Sequence, residues 1–107
     1  MSVIATGTIE GEEARGDIAI ATVEDRTQVQ LRNFWVAPGA PDARLYVSPR
    51  TDGQFDDTAT DLGKIPDHEP EIDRDIPDHI DPGTINSVII RCTQYSVLFG
   101  SGTVDRA

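Results

Sequence analysis

The sequence is short of the residues that small proteins use to staple a fold or to run chemistry. Of its 107 residues one is cysteine, one methionine and one tryptophan, and 6% are aromatic. A single thiol, Cys92, excludes an intrachain disulfide and any zinc site built from several thiolates, so the core must hold the fold unaided. Positive charge is scarce too. Nine Lys and Arg stand against nineteen Asp and Glu, a formal net charge of -10, which repels phosphate backbones and anionic lipid. No apolar run approaches the roughly 20 residues that cross a bilayer as a helix. Neither a nucleic-acid partner nor a membrane span is therefore expected. The opening Met1-Ser2-Val3-Ile4-Ala5 has no basic stretch followed by an apolar one, and the expected location is cytoplasmic. Conventional catalytic signatures are missing as well: there is no glycine-rich phosphate loop, no Gly-x-Ser-x-Gly elbow, no His-Glu-x-x-His and no Cys-x-x-Cys-His haem attachment. Carboxylates are so plentiful that no acid/base pair stands out.

At 11.6 kDa the chain suits one domain spanning residues 1–107. Short runs of period-2 alternation recur along it: Ile18, Ile20 and Thr22; Val29 and Leu31; Leu45 and Val47; Val88, Ile90 and Cys92; Tyr95, Val97 and Phe99. Each reads as a half-buried strand, and turn-forming pieces such as Ala37-Pro38-Gly39-Ala40-Pro41-Asp42 and Asp81-Pro82-Gly83 separate them. Helix has little room, because Gly and Pro interrupt every stretch of helical length. The pattern predicts an all-β protein, an antiparallel β-sandwich or barrel-like sandwich. Its strands fall near residues 3–10, 16–24, 27–33, 43–48, 86–92, 94–99 and 101–105, with weaker ones near 61–65 and 71–76. Segments 86–92 and 94–99 are expected to pair as a hairpin, and Ile20, Leu31, Val88, Ile90, Val97 and Phe99 to share one core. Residues 52–81 carry eleven of the acidic side chains against Lys64 and Arg74 alone, a local charge of -9. This segment reads as a long, self-repelling acidic loop pinned by Phe55, Leu62, Ile65, Ile72, Ile76 and Ile80.

Three blocks resemble the DM-thirteen domain, the electron-transfer domain often found beside DOMON domains. The first is Gly16-Asp17-Ile18-Ala19-Ile20 followed by Val29-Gln30-Leu31-Arg32-Asn33-Phe34. The second is Gly39-Ala40-Pro41-Asp42-Ala43-Arg44-Leu45-Tyr46-Val47-Ser48. The third joins Leu62-Gly63-Lys64 and Ile76-Pro77 to the run from Ser87 through Cys92 to Gly100. The resemblance implies a β-sandwich in which the family's single cysteine, here Cys92, is a redox centre, either as a bare thiol or by holding a prosthetic group. Arg91 stands where the family usually has Trp.

Strand phase turns Cys92 toward the core with Val88 and Ile90, and turns Arg91 the other way. A buried cysteine also serves as a small hydrophobe, and that alternative stays open. Tyr95 is expected beside or opposite Cys92 on the return strand, where its phenol would reach the thiol or a ligand. Trp35 is the better pocket candidate of the Phe34–Trp35 pair, Arg91 is a second ligand-binding candidate, and Tyr46, out of phase with Leu45 and Val47, is expected at the surface. His68 and His79 each follow Pro-Asp, but their spacing is no metal signature and no residue is assigned to a metal. Asp52, Asp56 and Asp57 lack the calcium-loop order, so weak divalent association is the most they predict. No cofactor is specified. Three functions compete: a redox or cofactor-related role centred on Cys92 with a redox partner protein; a small-molecule binding protein or unconventional enzyme of a bacterial biosynthetic pathway; and an accessory module for protein interaction.

Overall fold

A computed structural model describes all 107 residues, and in it the alternating runs become eight antiparallel strands with no α-helix. They are β1 (Ser2–Ile9), β2 (Ala14–Val23), β3 (Arg26–Val36), β4 (Ala43–Ser48), β5 (Thr60–Lys64), β6 (Ile72–Asp75), β7 (Ser87–Cys92) and β8 (Val97–Arg106). One 3-10 turn, Pro82–Thr84, is capped by Asp81, whose side chain accepts from the Gly83 N–H. The hydrogen-bonded order is β5-β4-β7-β8-β1-β2-β3-β6. Strand β8 is the corner: its residues up to Thr103 pair with β7, and Val104 to Arg106 pair with β1. The sheet folds over at this point because β8 carries glycine on its inner row. A Cβ at Gly102 would lie 1.9 Å from the Thr8 carbonyl oxygen, and one at Gly100 2.6 Å from that of Ala14. The result is a nearly closed barrel with edge strands β5 and β6 at the seam, where Arg74 Nη2 donates to the Lys64 carbonyl oxygen at 3.1 Å.

One row of each strand faces inward, as period 2 requires. Ala43, Leu45 and Val47 of β4, Val88 and Ile90 of β7, Ile18 and Ile20 of β2, and Val29 and Leu31 of β3 share a core of 19 buried residues. Phe99 packs against that core, but Val97 is 44% exposed and lies outside it. The return strand expected over 94–99 starts only at Val97 and runs on unbroken as β8, since Thr93–Ser96 form the hairpin turn. A bulge at Phe99 lets β8 resume its inward phase at Gly100, which pairs with Ile90 while Leu98 pairs with Arg91.

The acidic segment is not one long loop. It supplies both edge strands, β5 and β6, at the weaker positions the alternation marks, and it buries Ile65, Ile72 and Ile76 in the core. Its carboxylates meet arginines from elsewhere in the chain: Asp75 faces Arg26, Glu71 and Asp73 face Arg32, Asp61 faces Arg44, and Asp52 and Asp56 face Arg50. Residues 49–58 lie across the outer row of the sheet. Phe55 meets Tyr46 edge-on with ring centroids 5.0 Å apart, and Gly53 lies against Ser101 of β8. Tyr46, expected at the surface, is therefore buried, and so is Ile89.

Candidate functional site

Cys92 ends β7, and the register sets it between Ala43 of β4 and Val97 of β8. It is fully buried and unpaired, on the inward row as its strand phase predicts. The chain then turns at once. Thr93 is tied down twice: its N–H donates to the Asp42 carbonyl oxygen at 3.1 Å, and its Oγ1 shares a 2.6 Å hydrogen bond with Tyr46 Oη. The rest of the turn is held only by the Ser96 N–H on the Thr93 carbonyl oxygen at 3.3 Å, with Ser96 at a left-handed φ of 54°. All of residues 93–98 are exposed. A fully shielded thiol thus sits one residue from a segment with few internal bonds, and such segments open locally more easily than core strands.

The other sequence candidates do not converge on the sulfur. Arg91 points to the outer row, its guanidinium 4.0 Å above the Phe55 ring. Tyr95 occupies the tip of the turn at 65% exposure rather than facing Cys92 across a ladder. Trp35 lies on β3 opposite Arg15 of β2, whose guanidinium stacks 4.7 Å above its ring. Arg91, Tyr95 and Trp35 therefore face three different surroundings. Alternation within one strand places Cys92 and Arg91 correctly on opposite faces, but the turn that displaces Tyr95 depends on Thr93 contacts with Asp42 and Tyr46, some 50 residues upstream, which no local pattern announces.

Three clefts open elsewhere. One, of about 350 Å³, lies between Val47–Pro49, Thr58, Thr60 and the His79–Ile85 segment. A second, of about 490 Å³, is lined by Thr8 to Gly11, Arg15 to Asp17 and Asn33. The third, of about 250 Å³, is a shallow feature at Pro49–Asp52. In the second, Asn33 adopts φ 49° where two steps along β2 oppose three along β3, and its Nδ2 donates to Asp17 Oδ2 at 2.8 Å. Cys92 lines none of them. A prosthetic group held by its sulfur would have no space in this packing, so the residues fit a bare thiol and not a covalently held group. Nowhere do three or more His, Cys, Asp or Glu side chains gather closely enough to hold a metal ion.

Electrostatics concentrate instead around two arginines. Arg50 bridges Asp52 and Asp56, and its hydrogen bond holds the Asp52 carboxyl at about 2. Asp56 is also lowered, first by the Thr58 hydroxyl and then by Arg50. Arg44 is raised by its hydrogen bond to Asp42 and the nearby charge of Asp61, so it braces the strand whose preceding residue, Asp42, receives the Thr93 N–H.

A family model described as Electron transfer DM13 matches residues 8–103. Comparison with curated proteins and comparison with solved structures each gave no match.

Proposed function

We propose, because this chain belongs to the electron transfer DM13 family over residues 8–103, that it exchanges electrons with a separate redox protein through Cys92, a thiol shielded at rest and uncovered when the Thr93–Ser96 turn opens. The observation that carries this reading is the placement of the chain's one thiol at the last residue of β7, fully buried yet directly before an exposed turn. With no second cysteine the exchange is intermolecular. The Cys92 thiolate attacks one sulfur of a partner disulfide, the new S–S bond forms as the old one breaks, and the departing thiolate takes up the proton that Cys92 gave to solvent. Burial keeps the thiol from indiscriminate oxidation between encounters.

Incubation of the folded protein with glutathione disulfide, followed by intact mass, tests the reading. Slow growth of a single glutathione adduct is expected, absent in Cys92→Ser and faster in Thr93→Val, which loses the hydroxyl bonded to Tyr46. An adduct that forms only under conditions that unfold the whole chain would refute it.

The 350 Å³ cleft favours a second reading, binding of a small molecule. Val47, Ile80 and Ile85 supply its apolar lining, and Ser48, Thr58, Thr60 and His79 offer polar groups. Such binding would be indifferent to Cys92→Ser.

A further inference from the structure

We infer that the cleft on the outer face of β1, β2 and β3 is a binding site for a neutral saccharide, with Trp35 as the platform for a sugar ring and Thr8, Glu10, Arg15 and Asp17 as partners for its hydroxyl groups. Strand register gathers these residues on one face. Arg15 pairs with Trp35 across β2 and β3, Thr8 pairs with Asp17 across β1 and β2, and Arg15 and Asp17 flank Gly16 on β2. Glu10 stands two residues beyond Thr8, and all five side chains are exposed. Their neighbours of opposite phase, Ile9, Ala14, Ile18, Phe34 and Val36, all belong to the core, as strand alternation requires. The bulge at Asn33 adds a further polar group to this face, its Nδ2 donating to Asp17 Oδ2 at 2.8 Å.

The polar groups of this cleft are left to solvent. Arg32, Arg44 and Arg50 each meet two carboxylates, whereas Arg15 meets none, and its guanidinium makes only the contact 4.7 Å above the Trp35 ring. The side chains of Thr8 and Glu10 have no hydrogen-bond partner in the chain, and Asp17 keeps its Oδ1 free. The lining carries both signs of charge. An anionic ligand would meet Glu10 and Asp17, a cationic one would meet Arg15, and an apolar one would find a single apolar side chain, Ile9, among the 8 lining residues. A saccharide is neutral, and its hydroxyls both donate and accept, so they give hydrogen bonds to carboxylates and take them from a guanidinium. The C–H face of its ring rests on an aromatic surface, and Trp35 offers one at 41% exposure beside Arg15. The volume of about 490 Å³ admits a disaccharide. This site is distinct from Cys92 and from the 350 Å³ cleft, and it rests on neither reading above.

Maltose, lactose and N,N′-diacetylchitobiose, which between them present glucose, galactose and N-acetylglucosamine, are the probes, each titrated to millimolar concentration into the isotope-labelled protein. Because Trp35 is the only tryptophan, its fluorescence and its indole N–H resonance report this site alone. At least one disaccharide is expected to shift both, together with the backbone amides of residues 8–11, 15–17 and 33–35. Trp35→Ala, followed through the amides, should weaken binding by about tenfold or more, and Trp35→Phe by about threefold or less. Arg15→Gln should weaken it by roughly three- to tenfold. Asp25→Asn, which removes an exposed charge at the far end of the same β2–β3 hairpin, should leave it within about twofold. The amide spectrum of each variant shows that the fold is kept. No response to any of the three sugars, shifts centred on residues 47–49 and 79–85, or unchanged affinity in Trp35→Ala would overturn the site. Uridine, a neutral ring that stacks on tryptophan, is the comparison ligand, and its binding in the cleft in place of the sugars would overturn the ligand class.

Discussion

Ser87 carries the one buried side-chain oxygen without a hydrogen-bond partner, fully enclosed and opposite Ser48 across the β4–β7 ladder. An unsatisfied buried hydroxyl contributes desolvation without a compensating bond. Ser87→Ala should therefore leave stability unchanged or raise it by up to about 1 kcal/mol in denaturant melts; a loss of that size would show that the hydroxyl is satisfied by water. Gly102 tests the opposite situation. Its missing Cβ is what lets the Thr8 carbonyl approach, so Gly102→Ala should destabilise by about 1–3 kcal/mol or more, and a variant that melts like the parent would contradict the folding of the sheet at β8. Neither residue was legible beforehand. Ser87 alternates with inward residues as any polar outer position would, and the role of Gly102 depends on a strand more than 90 positions away in the chain.

The edge strands show where local reading succeeds and where it stops. Period-2 spacing of Ile72 within Asp and Arg neighbours is enough to suggest a strand near 71–76, and β6 forms there. What spacing cannot convey is who neutralises the charge. Residues 52–81 read as self-repelling because only Lys64 and Arg74 lie among them, whereas Arg26, Arg32, Arg44 and Arg50 come from β3, β4 and the segment that follows β4. The pH dependence therefore takes the sign of ion pairing. Asp52 is lowered from its ordinary 3.8 to about 2 by its hydrogen bond to Arg50, so its contribution is fully present above pH 4 or so and is lost as pH falls through the lowered value. Asp56 acts in the same direction, with Thr58 as the larger cause. Thermal melts should show no gain in stability between pH 7 and 5 and a decline below about 4. Stability that climbs steadily from pH 7 to 4 would mean that repulsion dominates. These pairs are exposed, so the effect is modest and weakens with salt.

At the scale of the whole molecule, eight strands close around one core because the inner rows of β1 to β4 and of β7 are apolar and the corner strand carries glycine where layers touch. The all-β architecture, the β7–β8 pairing and the inward turn of Cys92 were all legible from alternation; the position of Tyr95 was not, since it is set by Thr93 bonding to distant residues. This closure also defines the central functional claim. Cys92 belongs to the core by burial and to the hairpin by sequence, and the proposed redox use of its thiol would require the hairpin to open without the barrel. Labelling of Cys92 by an excess of a thiol reagent, measured across urea concentrations below the unfolding transition, decides the matter, because the urea slope of the rate reports how much surface the opening exposes. A rate nearly independent of urea, joining the global unfolding line only near the midpoint, is what a local opening of Thr93–Ser96 produces. A rate that follows the full global slope from zero urea would make Cys92 a structural core residue and end the gated-thiol account.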